Sequence, residues 1–158
     1  METSILLLLL TALMLQIKAE KGLVLDKNQF LIYNHNYPSA RLAQWGQKYS
    51  DAGTYEHGLA LKQLWTLEPH SYQIGCYYIV NEYWPNWRIA DSKHNFHVFD
   101  GPHWDDQLFR FVPSGSDGFF YIYNCLYTND RIAKYGVGDG EISMYDGPRY
   151  RDQLWKLV

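Results

Sequence analysis

The sequence predicts an all-β fold, and three observations carry that prediction. Beyond the N-terminal apolar run, no stretch of ten or more residues shows the apolar spacing of a helix. Short runs rich in Tyr, Ile, Val and Phe alternate with Gly, Pro, Asn, Asp and Ser, the texture of strands and turns. The chain also repeats itself three times, at a period of roughly 45 residues.

The repeat is defined by landmarks in one order. Each copy opens with a strand-like run ending in Asn: Leu31-Ile32-Tyr33-Asn34, Tyr78-Ile79-Val80-Asn81 and Tyr121-Ile122-Tyr123-Asn124. An Arg-aliphatic-Ala segment follows: Arg41-Leu42-Ala43, Arg88-Ile89-Ala90 and Arg131-Ile132-Ala133. Each copy closes on Gln-Leu-aromatic, at Gln63-Leu64-Trp65, Gln107-Leu108-Phe109 and Gln153-Leu154-Trp155. About four strands per copy are predicted. In the second copy they are Ile74–Asn81, Trp87–Ala90, Asn95–Phe99 and Gln107–Val112; in the third, Phe119–Asn124, Arg131–Tyr135, Glu141–Tyr145 and Gln153–Leu157. Units this small must share a core. The expected layers are Ile32, Ile79 and Ile122; Leu42, Ile89 and Ile132; and Leu64, Leu108 and Leu154. The second and third copies share Asp100-Gly101-Pro102 and Asp146-Gly147-Pro148 before the closing motif, whereas the first has Glu56-His57-Gly58 and no Pro.

Residues 1–19 read as a signal peptide, since Ile5–Leu15 has the length of its apolar segment and falls short of a membrane span. Residues 20–158 are then expected to form one secreted, extracellular domain, with repeats at about 20–67, 68–112 and 113–158. The formal net charge is −3 and Lys and Arg are scattered singly, which argues against charge-driven nucleic-acid binding. The bias is aromatic, with 14 Tyr, 6 Trp and 7 Phe, and suits an amphipathic binding surface as well as a core. An oxidising compartment permits Cys76 and Cys125 to pair if their Cα atoms come within about 7 Å.

The features that break the repeat are the candidate sites. Glu82-Tyr83-Trp84-Pro85-Asn86-Trp87 crowds indoles into one turn of the second copy, and His103-Trp104-Asp105-Asp106 places another beside carboxylates. An aromatic face next to acceptor oxygens matches the C–H face and hydroxyl edge of a sugar. Tyr150 with Asp152 is the counterpart in the third copy, while Leu61-Lys62 replaces the acid in the first. The loops Gln44–Tyr55 and Pro113–Gly118 would serve a protein-binding alternative. His94 and His97, with Asp91 and His103, are poorly spaced for one ion, because strand positions three apart face opposite ways. No metal, no cofactor and no catalytic residue are expected. The repeated Gln and closing aromatics read as structural, the Asn residues as turn formers or ligand contacts, and the Arg residues as braces for neighbouring carboxylates.

On these residues the chain resembles the β-trefoil, and most nearly the ricin-B-like lectins, whose repeats end in Gln-x-Trp or Gln-x-Phe. The resemblance covers essentially all of residues 20–158. It implies that Gln63, Gln107 and Gln153 fix the site turns and that Trp65, Phe109 and Trp155 pack in the core. It places a sugar-binding polar residue near Asn34, Asn81 and Asn124, and a second one at Lys62, Asp106 or Asp152. The chain departs from the family in having Asn for its early Asp and no cysteine pairs within repeats. The implied protein is non-enzymatic and binds glycans or glycoproteins at shallow sites in one or two copies, with self-association or a second chain adding strength. Trefoils also include protease inhibitors, receptor ligands and targeting subunits of toxins.

Overall fold

Strand boundaries follow the residue pattern closely. The computed structural model describes residues 28–58, 61–116 and 118–158, so the expected signal peptide lies outside the described residues. The first copy contributes β1 (Gln29–Phe30), β2 (Ile32–Asn34), β3 (Arg41–Gln44), β4 (Ala52–Tyr55) and β5 (Trp65–Pro69), with a 3-10 turn at Leu61–Gln63. The second contributes β6 (Tyr77–Asn81), β7 (Arg88–Asp91), β8 (Phe96–Phe99) and β9 (Leu108–Pro113), with a 3-10 turn at Asp105–Gln107. The third contributes β10 (Phe120–Asn124), β11 (Arg131–Lys134), β12 (Ile142–Tyr145) and β13 (Leu154–Leu157), with a 3-10 turn at Arg151–Gln153. β1 and β2 are one strand interrupted at Leu31, whose backbone exchanges hydrogen bonds with Val158 at 2.8 and 2.9 Å.

The pairing closes a ring. β1 pairs with β5, β5 with β6, β6 with β9, β9 with β10, β10 with β13, and β13 with β2, all antiparallel. Closure leaves this barrel without a free edge. β3–β4, β7–β8 and β11–β12 form hairpins that attach to β2, β6 and β10 and meet one another. A barrel of this order with three hairpins is a β-trefoil.

Two departures from the predicted strands have local causes. Ile74–Cys76 forms a turn because Gly75 takes a left-handed φ of 84°, which points Ile74 into solvent. Gln107 and Gln153 belong to the 3-10 turns rather than to the strands after them. The core contains Ile32, Ile79 and Ile122 with Leu42, Ile89 and Ile132, as expected. Its remaining layer is Trp65, Phe109 and Trp155. The expected layer of Leu64, Leu108 and Leu154 is corrected. These side chains are buried, but Leu108 packs in a separate cluster with Tyr78 and Val80 against the cysteines. Successive strand residues face opposite ways, so the aromatic takes the inward position and the preceding Leu the other.

Candidate functional site

The repeated polar side chains hold the frame. Asn34, Asn81 and Asn124 are buried. Each Oδ1 accepts the backbone N–H groups two and three residues ahead, closing a turn after the strand. Each Nδ2 donates to the residue before the Gln of the preceding copy. Asn81 reaches Lys62 O at 3.1 Å, Asn124 reaches Asp106 O at 2.8 Å, and Asn34 reaches Asp152 O at 2.7 Å. Three equivalent bonds thus stitch the copies into a circle. Asn81 and Asn124, read from the sequence as turn formers or ligand contacts, thus spend their amides on backbone groups.

The Gln residues fix the turns beside them. Gln107 accepts from Arg88 at 3.1 Å and donates to Pro102 O at 3.0 Å. Gln153 accepts from Arg131 at 2.5 Å and donates to Pro148 O at 3.1 Å. Gln63 makes the same pair of contacts with Arg41 and His57 O, both at 3.4 Å, in the copy that lacks the Pro. The Arg residues therefore brace the Gln amides and turn carbonyls, not carboxylates. Trp65 and Trp155 also donate their indole N–H to Leu42 O and Ile132 O, at 2.9 and 2.8 Å.

With the frame accounted for, the aromatic residues separate into two groups. Trp87 is buried, and Trp84 packs partly buried against the core with the Lys62 ammonium 5.2 Å from its ring. Trp84, a sequence candidate for ligand stacking, meets the Tyr83 ring edge-on, with centres 4.7 Å apart. Trp104 is different: 54 % exposed, it stacks on Phe99 with ring centres 5.2 Å apart and planes 25° from parallel. Tyr49 extends this surface, lying 5.5 Å from Phe99 and 5.2 Å from His97. Asp106, partly buried, lies beside His97. Burial raises its carboxyl pKa while His97 opposes the shift, and Oδ1 is buried without a hydrogen-bond partner.

The sequence builds this face through a glycine. A Cβ on Gly101 would fall 2.2 Å from the Phe99 ring, and one on Gly147 would fall 2.3 Å from the Tyr145 hydroxyl. The shared Asp-Gly-Pro thus lets a strand-end aromatic fold over the turn, under the exposed ring that follows. In the third copy that ring is Tyr150, 6.2 Å from Tyr145, with Tyr135 6.3 Å from Tyr145 on its other side. Asp152 there has its pKa raised by burial, and its Oδ1 is buried and unpartnered. The first copy has Tyr55 against His57, and its sequence carries Ala60 where the others carry Trp104 and Tyr150. Phe99 and Tyr145 could have been found from their shared place before Asp-Gly-Pro. Tyr49 comes from the neighbouring copy's loop and carried no sequence signal.

Cys76 and Cys125 are disulfide-bonded, with Cα atoms 6.5 Å apart. Among the described residues, no helix is long and apolar enough to cross a membrane. His97 and His103, weighed above with His94, turn to Tyr49 and Tyr78 respectively. Among the described residues, the ligand atoms of His94, Asp130 and Asp146 do lie within 4.8 Å of one another.

No family model matches the chain, and no curated protein matches it in sequence. Solved structures do match in fold. A BEL β-trefoil superposes with a TM-score of 0.70 at 19 % identity, covering 87 % of this chain and 96 % of that one. SeviL bound to asialo-GM1 saccharide gives 0.68 at 18 % identity, covering 83 % and 96 %. A mosquitocidal holotoxin gives 0.74 at 12 % identity; the match covers 87 % of this chain but only 18 % of the toxin. The chain is similar to these proteins in its β-trefoil architecture.

Proposed function

We propose that this protein is a secreted, non-enzymatic, carbohydrate-binding β-trefoil whose working sites lie in the second and third copies. The observation that carries the reading is the exposed Trp104 ring stacked on Phe99, beside a partly buried carboxylate at Asp106. A pyranose laid on the indole buries its C–H face, and its hydroxyls donate to Asp106. Tyr150 and Asp152 repeat the arrangement with a smaller ring. A stacked ring and a pair of hydrogen bonds make a weak site, on the order of 1 mM, or about −4 kcal/mol. Useful strength then comes from several sites on one glycan surface.

Support from known structures is of one kind: SeviL, similar in fold, is described bound to a saccharide. A second reading, that the chain is the targeting part of a larger toxin, draws on the similarity to a mosquitocidal holotoxin. The test is a glycan array on the purified chain, with Trp104→Ala and Asp106→Asn beside it. Saturable binding to one glycan class, lost in both variants, supports the reading; no binding up to about 10 mM of any glycan refutes it.

A further inference from the structure

One fully buried position differs in charge between the copies. It lies three residues after the repeated Arg and is Gln44, Asp91 or Lys134. Each side chain serves its own hairpin turn. Gln44 donates to Gly46 O at 2.8 Å, Lys134 donates to Gly138 O at 2.7 Å, and Asp91 Oδ1 accepts the His94 N–H at 2.9 Å. In the first copy the position is neutral. In the third, burial disfavours the Lys134 charge while Glu56, Glu141 and Asp139 favour it.

At Asp91 the balance fails. Its carboxyl faces Asp130, which is 2 % exposed and stands where the other copies have Ala40 and Trp87. Asp91 Oδ2 is buried and has no hydrogen-bond partner. His94 Nδ1 lies 2.8 Å from Asp130 Oδ2, in ion-pair range, and Asp146 completes a set of ligand atoms within 4.8 Å. Arg131, next in sequence, points elsewhere, to Gln153 and the Gly147 and Pro148 carbonyls. Burying two facing carboxylates costs several kcal/mol per charge, which the half-exposed His94 offsets only at Asp130.

We propose that His94, Asp130 and Asp146, with Asp91 behind them, form a site for one divalent transition-metal cation of the Zn²⁺ or Mn²⁺ class. One imidazole nitrogen among carboxylate oxygens fits these ions, whereas Ca²⁺ takes six to eight oxygens. Ligands about 2.1 Å from a shared ion lie at most about 4.2 Å apart, so the exposed His94 and Asp146 need close in only slightly. The cation neutralises the Asp91–Asp130 pair and clamps the second copy's hairpin turn to the third copy. From the group weighed in the sequence, the site takes Asp91 and His94. The ligands other than His94, namely Asp130 and Asp146, come from the next repeat, which is why spacing along one strand predicted no metal.

The experiment uses the full chain without a tag, stripped with a chelator and titrated calorimetrically with Zn²⁺, Mn²⁺ and Ca²⁺. Expected are one equivalent of Zn²⁺ or Mn²⁺ and a melting temperature about 5–10 °C higher at a hundredfold excess over the dissociation constant. His94→Ala and Asp130→Asn should each weaken binding at least about tenfold. Without cation, Asp130→Asn should melt at or above the parent, since it removes one of two facing buried charges. No saturable binding below about 1 mM, equal binding by His94→Ala, or preference for Ca²⁺ overturns the proposal. Should Asp130→Asn fail to fold, the half-exposed His94→Ala decides alone.

Discussion

At the scale of single residues, the three closing Gln side chains form a graded series. Gln153 accepts from Arg131 and from Tyr150 N and donates to Pro148 O; Gln107 makes two good bonds; Gln63 makes two long ones. All three amides are buried, so truncation strands an Arg and a carbonyl. Gln107→Ala and Gln153→Ala should each cost about 1–3 kcal/mol, Gln153→Ala the more, and Gln63→Ala less than either. Urea midpoints at constant m-value give the ranking; an equal or larger loss at Gln63 would contradict it. Gly101 makes a different prediction, because its φ is ordinary and only the Phe99 ring stands in the way. Gly101→Ala should therefore displace Phe99 and tilt Trp104, weakening sugar binding several-fold while leaving the fold intact. Retained near-UV circular dichroism with unchanged glycan affinity would count against this role for the glycine.

At the scale of elements, barrel and hairpins do separate jobs. The barrel strands carry the aliphatic layers and exchange backbone bonds around a closed ring. The turns after β8 and β12 carry the exposed rings. The disulfide belongs to the barrel: Cys76 immediately precedes β6, Cys125 immediately follows β10, and both pack on the Leu108 cluster. It closes a loop with a sequence separation of 49, which in the chain-entropy model is worth about 4 kcal/mol. The Cys76→Ser/Cys125→Ser double variant should unfold at correspondingly lower urea yet bind glycan unchanged below its melting point, since the Asp106 turn keeps its own bond from the Asn124 amide. Loss of binding by a still-folded double variant would show that the disulfide, packed on Leu108, also holds the neighbouring Asp106 turn.

At the scale of the whole molecule, the threefold pattern was legible because a shared core demands the same apolar residue at each equivalent place. Ile32, Ile79 and Ile122 show this directly. The site was half legible. Trp104, Asp106, Tyr150 and Asp152 stand out as local clusters, but in the Trp-rich turn the Lys62 ammonium of the preceding copy lies 5.2 Å from the Trp84 ring. Tyr49 and Asp130 likewise act on neighbouring copies, and such contacts leave no spacing to read. The broken symmetry then sets valency. The second copy has an indole on Phe99, the third a phenol on Tyr145, and the first has Ala60 and Lys62. Trp104→Ala should abolish measurable binding to a monovalent sugar, whereas Tyr150→Ala should lower it by less than about threefold. On a densely glycosylated surface both variants should fall sharply, by tenfold or more, because the effective concentration at the second site multiplies the first. Lys62→Asp should restore nothing in the first copy, because an acceptor without the ring at position 60 lacks the stacking half of the site. Biolayer interferometry at sparse and dense glycan loadings separates these outcomes. Equal loss for Tyr150→Ala at both loadings would instead mean that the third copy holds the primary site.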